Sequence, residues 1–187
     1  MTRLSTIVQH LIEEGIAARA HFQTWWALRN RAIPDFLPDM NHLEYVDFFH
    51  VSNSGHYKLF FIAISKIFDR DTRASGIASL REGLRAEGHD NLADYVEAEL
   101  EPLTERVCRI QTIRNQAIGH NQTDLPREKV YDINGTTPNE IMELIDITCG
   151  AINKIARELG FTNVIFDSKR YEDATLELLR ALTEVRT

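Results

Sequence analysis

Arg114, Asn115 and His120 are the residues of this chain whose types and spacing could do chemistry. A guanidinium is permanently charged and offers a planar fork of donors to a phosphate, while an imidazole titrates near neutrality and can accept or give a proton. RNA carries an internal nucleophile, the 2′-hydroxyl, beside every phosphodiester, so a base, an acid and charge stabilisation suffice to cleave it without a metal. In that division of labour Arg114 would grip the nonbridging oxygens, most strongly as negative charge builds in the transition state, and His120 would move the proton. One imidazole cannot conveniently act as base and acid in a single concerted step. A twofold dimer whose axis passes near these residues would bring a second copy of each, which makes a homodimer part of the expected mechanism.

The elements that must position this set read as helices. Val96, Leu100, Leu103, Val107 and Ile110 recur at alternating steps of four and three, the mark of a helix face that packs on a partner, and Arg114 takes the next slot. A cation on an apolar seam must meet an acid, reach solvent or await an anion, because burying it unpaired is very costly. Its helix should start at Asp90, bend or break at Pro102 and continue to about Gly119.

Upstream, residues 3–31 form one long amphipathic pattern with Leu4, Val8, Leu11, Ala18, Phe22 and Trp25 on a stripe, and Pro34 and Pro38 bracket a loop that stops it. A second helix over roughly residues 42–69 carries Val46, Phe49, Phe60, Ile64 and Ile67 inward, with His50, Asn53 and His56 interrupting that face as a polar patch. Ser75 can cap a shorter helix bearing Ile77, Leu80 and Leu84, which Gly88 ends. Downstream, Thr137-Pro138-Asn139-Glu140 combines a capping box with proline in the first turn, and Ile141, Ile145, Thr148, Ile152, Ile155 and Leu159 run to Gly160. A short connection follows in which Val164 to Phe166 could be extended, and a last helix carries Leu179, Leu182 and Val185. With no repeat and no convincing sheet, the expectation is an all-α, up-and-down bundle of five or six helices, one domain over residues 1–187.

Composition narrows the function. Hydrophobic residues at 43% and charged residues at 26% are ordinary for a folded globular chain, and a net charge of −7 argues against a protein that coats nucleic acid nonspecifically. A local basic pocket is compatible with that charge. Cys108 and Cys149 fall in helical segments and read as reduced, mostly buried thiols of a cytoplasmic protein. No apolar run is long enough to span a bilayer, so no membrane association is expected. No cofactor is implied, since GxxxxGK[ST] and GxSxG patterns are absent. No metal is implied either: His42, His50 and His56, at separations of eight and six, do not share one helical face, and there is no HExxH. Trp25 and Trp26 read as core rather than base-stacking residues, and Asp69, Arg70, Asp71 and Arg73 as a charged loop that satisfies its own termini.

Arg114-Asn115 followed after four residues by His120, at the end of a helix in an all-α chain, resembles the HEPN superfamily. The segment Phe60-Phe61-Ile62-Ala63-Ile64-Ser65-Lys66-Ile67-Phe68-Asp69-Arg70-Asp71 looks like the abortive-infection, AbiU-type HEPN proteins. What the resemblance implies is a bundle that dimerises through the motif helices and forms a shared cleft. It implies a metal-independent endoribonuclease in antiphage defence or a toxin–antitoxin pair, with RNA as substrate and an antitoxin protein as partner. Arg114 would bind the phosphate, His120 would act as base or acid, and Asn115 would orient one of them or the substrate. The same resemblance admits a noncatalytic HEPN-like module that binds RNA, a nucleotide or a partner protein.

Overall fold

The structure is a computed structural model and describes residues 2–119, 126–162 and 167–186. Helix α1 (Arg3–Trp26) begins where the Thr2 hydroxyl accepts a hydrogen bond from the Ser5 amide at 3.1 Å, and it buries Leu4, Ile7, Val8, Leu11, Ile12, Ala18 and Phe22. Its broad apolar face makes the most extensive helix–helix contact of the described residues, with α3 (Val46–Ile67), which buries Phe60, Phe61, Ile64 and Ile67. Trp25 and Trp26 pack, partly buried, against this core, as expected.

Between these two helices the expected loop at Pro34 and Pro38 is replaced by helix, and the chain turns only over residues 41–45. After Trp26 it widens into a π-helical turn, Ala27–Arg31, and then forms α2 (Ile33–Met40). Pro34 lies in the first turn of α2, where no intrahelical donor is needed. Pro38 sits inside the helix, which is held instead by the packing of Ile33, Phe36 and Met40 on a small second core with Leu28, Ala32, Phe49 and Leu179. Local packing here outweighs one lost backbone hydrogen bond.

The end of α3 turns through residues 68–76 into α4 (Ile77–Ala86). The cap is Gly76 rather than Ser75: the Ser79 hydroxyl accepts from the Gly76 amide at 3.0 Å and donates to the Gly76 carbonyl at 2.9 Å, while the Ser75 hydroxyl meets His10 Nδ1 at 2.8 Å. A Cβ at position 76 would stand 2.7 Å from the Asp69 carbonyl oxygen, so glycine is needed for this turn to close against the end of α3. Gly88, at φ +80°, ends α4, and α5 (Asp90–Leu100) follows. Pro102 lies in a short 3₁₀ turn, Glu101–Leu103, before α6 (Thr104–Ile113). The seam residues Val96, Leu100, Leu103, Val107 and Ile110 are all buried, as their spacing required.

Beyond α6 the chain runs as a π-helix over Arg114–Gly119, and α7 (Arg127–Asn134), which the sequence pattern does not mark, is pinned by the fully buried Val130. Helix α8 (Pro138–Glu158) starts on the expected capping box: the Thr137 amide donates to Glu140 Oε2 at 2.7 Å and the Glu140 amide donates to the Thr137 hydroxyl at 3.3 Å. Its inner face packs on α1, where the buried Arg19 reaches Asp146 at 2.6 Å. Cys149 Sγ lies 3.6 Å from the Gly15 carbonyl, and burial pushes its thiol up to about 11. Cys108, by contrast, is exposed, because it stands one residue off the seam on the outer side of α6. Helix α9 (Arg170–Arg186) closes the chain over the second core, and Val164 to Phe166 lie outside the described residues.

The protein is therefore all-α, with no strand among the described residues, and the turns just described subdivide the expected helices into shorter segments. Among the described residues no helix is long and apolar enough to cross a membrane.

Candidate functional site

Arginines of α6 show what makes Arg114 different. Arg106 and Arg109 each reach a carboxylate of α8, Glu143 at 2.5 Å and Glu140 at 3.4 Å. Arg114, on the same chain one turn beyond, pairs with no carboxylate among the described residues. Its Nη1 donates instead to Asn115 Oδ1 at 2.7 Å, and both side chains border an open hollow of about 270 Å³. The structure thus brings together two of the three sequence-derived site residues. His120 lies outside the described residues.

The π-helical turn sets this arrangement. Ile113 and Ala117 are buried and Ile118 packs partly buried on the core, which anchors one side of the segment and leaves Arg114 half-buried and Asn115 exposed on the other. A wider turn changes the angle between successive side chains, so the apolar register of α6 no longer forces Arg114 inward.

Opposite stands the end of α3. Ser65 and Lys66 come from its last turn, Asp69 and Arg70 from the chain just beyond, and Gln111 of α6 closes the floor by donating from Nε2 to the Phe68 carbonyl at 3.0 Å. Lys66 is neutralised by Glu14 of α1, Nζ to Oε1 at 2.6 Å. Asp69 Oδ1 accepts from the Asp71 amide at 2.9 Å, and Asp71 in turn holds Arg73, whose guanidinium keeps the Asp71 carboxyl below the usual range. The loop does satisfy its own groups, with one exception. Arg70 pairs with no carboxylate among the described residues, and its guanidinium makes a weak contact, Nη2 to Cys108 Sγ at 3.9 Å.

The hollow therefore carries two uncompensated guanidiniums, Arg70 and Arg114, beside one carboxylate, on a chain of net charge −7. That is a local attraction for an anion, and two forks at its edge suit the oxygens of a phosphate. Lys66 and Arg70 stand out in sequence only within the segment 60–71 and the charged loop, and Gln111 not at all. None has a site role there, since the end of α3 and the end of α6 are 40-odd positions apart and only their packing joins them.

A second polar junction lies on the α1–α3 surface. His21 Nδ1 and His56 Nδ1 are 2.9 Å apart, so one ring donates and the other accepts, and the rings are tilted with centroids 5.1 Å apart. Burial holds both imidazoles below their ordinary value; at His21 the neighbouring His56 adds to the effect and Glu14 opposes it. The polar patch expected from His50, Asn53 and His56 is thus differently built: His56 turns to α1, while His50 and Asn53 border a separate hollow near Met40. Among the described residues no group of three or more His, Cys, Asp or Glu could hold a metal ion.

A family model described as AbiU2, of the HEPN group, matches residues 1–177. No curated protein and no solved structure matches the chain.

Proposed function

Because the chain belongs to the AbiU2 family of HEPN proteins, we propose that it is a metal-independent endoribonuclease of abortive infection, acting as a cytoplasmic homodimer. The reading rests on one observation above all: Arg114 faces an open hollow beside Asn115, with no carboxylate among the described residues to neutralise it. In the reaction the substrate's 2′-oxygen attacks the adjacent phosphorus and the 5′-oxygen of the next nucleotide leaves. The products are a 2′,3′-cyclic phosphate and a free 5′-hydroxyl. Arg114 donates its fork to the nonbridging oxygens, and Asn115 holds that fork in place through the bond to Nη1. His120 takes the proton of the 2′-hydroxyl, and His120 of the partner subunit gives one to the leaving oxygen. As a toxin, such an enzyme would be held in check by an antitoxin protein encoded beside it.

The test is incubation of purified protein with RNA in excess chelator, followed by analysis of the product ends. Cyclic phosphate ends that vanish in an Arg114→Ala/His120→Ala variant are expected. Intact RNA, or equal cleavage by the variant, overturns the proposal. The net charge of −7 favours a second reading, a noncatalytic module that binds a nucleotide or partner protein. It would show as retained phosphate binding without cleavage.

A further inference from the structure

The Arg114 hollow does not end at Arg70. A second hollow of about 280 Å³ opens between the end of α3 and helices α4, α5 and α6, and Asp69 and Arg70 line both. Arg70 therefore stands on the wall that the two share. Gly76 fixes this wall, since the close approach of its backbone to the Asp69 carbonyl locks the turn that carries Arg70.

The second hollow has a different chemistry from the first. Its apolar lining is Phe68, Ile77, Val96, Leu100 and Val107, and its polar lining, besides Asp69 and Arg70, is Arg81, Glu97, Glu101 and Thr104, so its carboxylates keep the phosphate on the Arg114 side. Arg81 pairs with Glu97 through its terminal nitrogen, yet its Nε is buried without a hydrogen-bond partner. An apolar slot with polar groups around its mouth suits a flat, largely apolar body with hydrogen-bonding atoms at its edge. The volume is near the lower end of the roughly 300–1,000 Å³ seen for small-molecule clefts, which suits one ring system rather than a larger ligand.

We infer that the two hollows together form a nucleotide site, in which Arg70 and Arg114 hold the phosphate and the slot between α4, α5 and α6 takes the attached nucleobase. The apolar walls and Phe68 cover the faces of the base, and the polar rim meets its edge. Arg70 is a phosphate-binding residue in this arrangement. The inference rests on the reading of the Arg114 hollow as a phosphate site and adds to it a base-selective pocket, so that cleavage prefers one position along a single strand.

Calorimetric titrations of the whole chain with inorganic phosphate, a nucleoside and the four nucleoside 3′-monophosphates test it. The monophosphates should bind about tenfold or more tighter than phosphate, in line with the gain from stacking one base, and should differ among themselves. Ala78→Trp, which fills the slot from α4, should bring them down to the level of phosphate while leaving phosphate affinity unchanged. Thr104→Phe enters the same slot from the exposed face of α6 and guards against a folding defect in the first variant. Arg70→Gln should weaken phosphate and monophosphates alike. Phosphate binding with no gain from any base, or a preference that survives both slot variants, overturns the inference and leaves the phosphate site standing. Failure of phosphate itself to bind, with Arg114→Ala unchanged from the native chain, overturns both.

Discussion

Arg114 and Asn115, adjacent in sequence, are joined side chain to side chain, Nη1 to Oδ1 at 2.7 Å. Neighbouring residues on a regular α-helix do not face one another, so a pair of this kind depends on the long reach of arginine and on the π-helical turn in which both lie. The bond takes up one donor of a five-donor fork and leaves the rest toward the hollow.

Replacing Arg114 with alanine should lower kcat by about 10²–10³-fold, the usual loss for one donor set aimed at developing negative charge. Arg114→Lys should recover only part of it, because an ammonium keeps the charge without the planar fork. Single-turnover RNA cleavage, with circular dichroism to check folding, measures both. Wild-type rates in either variant would refute the assigned role.

Asn115→Ala removes the acceptor that holds the guanidinium. One neutral partner of a charged hydrogen bond contributes about 1.5–3 kcal/mol when intact, and solvent at this exposed position reduces it, so the expected loss is about tenfold in rate with little change in melting temperature. A larger melting shift than rate effect would show that Asn115 serves the fold instead.

Acid should loosen the α1–α3 junction. His21 and His56 are both held below the ordinary value of 6.5, so the folded chain binds fewer protons there than the unfolded one. Their contribution is complete above about 6.5 and is lost as pH falls toward the folded values, when both rings take up protons 2.9 Å apart. Melting temperature measured between neutrality and mild acid should fall, and a His21→Gln/His56→Gln variant should fall less steeply. Parallel profiles for the two proteins would discard this account.

The two thiols should differ sharply. Cys108 is exposed and Cys149 is buried with its thiol raised to about 11, so a thiol reagent should titrate one cysteine in the native protein and the second only on unfolding. A bulky adduct on Cys108, whose sulfur lies 3.9 Å from Arg70, should also weaken phosphate binding. Fast reaction at Cys149 would contradict the packing of α8 on α1.

Much of the helical frame was legible because burial imposes a period on the sequence. The seam from Val96 to Ile110 and the inner face of α8 are buried as their spacing required, and the Thr137 capping box forms as written. Breaks in that period are less visible. Nothing in the local pattern marks the π-helical turns at Ala27–Arg31 and Arg114–Gly119, which depend on how neighbouring helices seat, and Pro34 and Pro38 read as a loop although packing holds them in α2. The same divide runs through the site. Arg114 stood out as a charge on an apolar face, a local signal. Arg70 did not, because its importance comes from a contact between distant elements and from having no carboxylate where its neighbour Arg73 has one.

Helix α9 rests on the smaller apolar cluster around Leu28, Phe49 and Leu179, and the buried Gln23 ties its start to α1, accepting from the Tyr171 amide at 3.2 Å and donating to the Ser168 carbonyl at 2.7 Å. A terminal segment fastened by Gln23, by the Thr183 hydroxyl donating to Asp39 at 2.9 Å, by Glu172 pairing with Arg31 at 3.4 Å and by one small apolar cluster can detach while the larger core keeps its shape. Its backbone amides should then exchange with deuterium ahead of those in α1 and α8, so that the molecule comes apart in two steps rather than one.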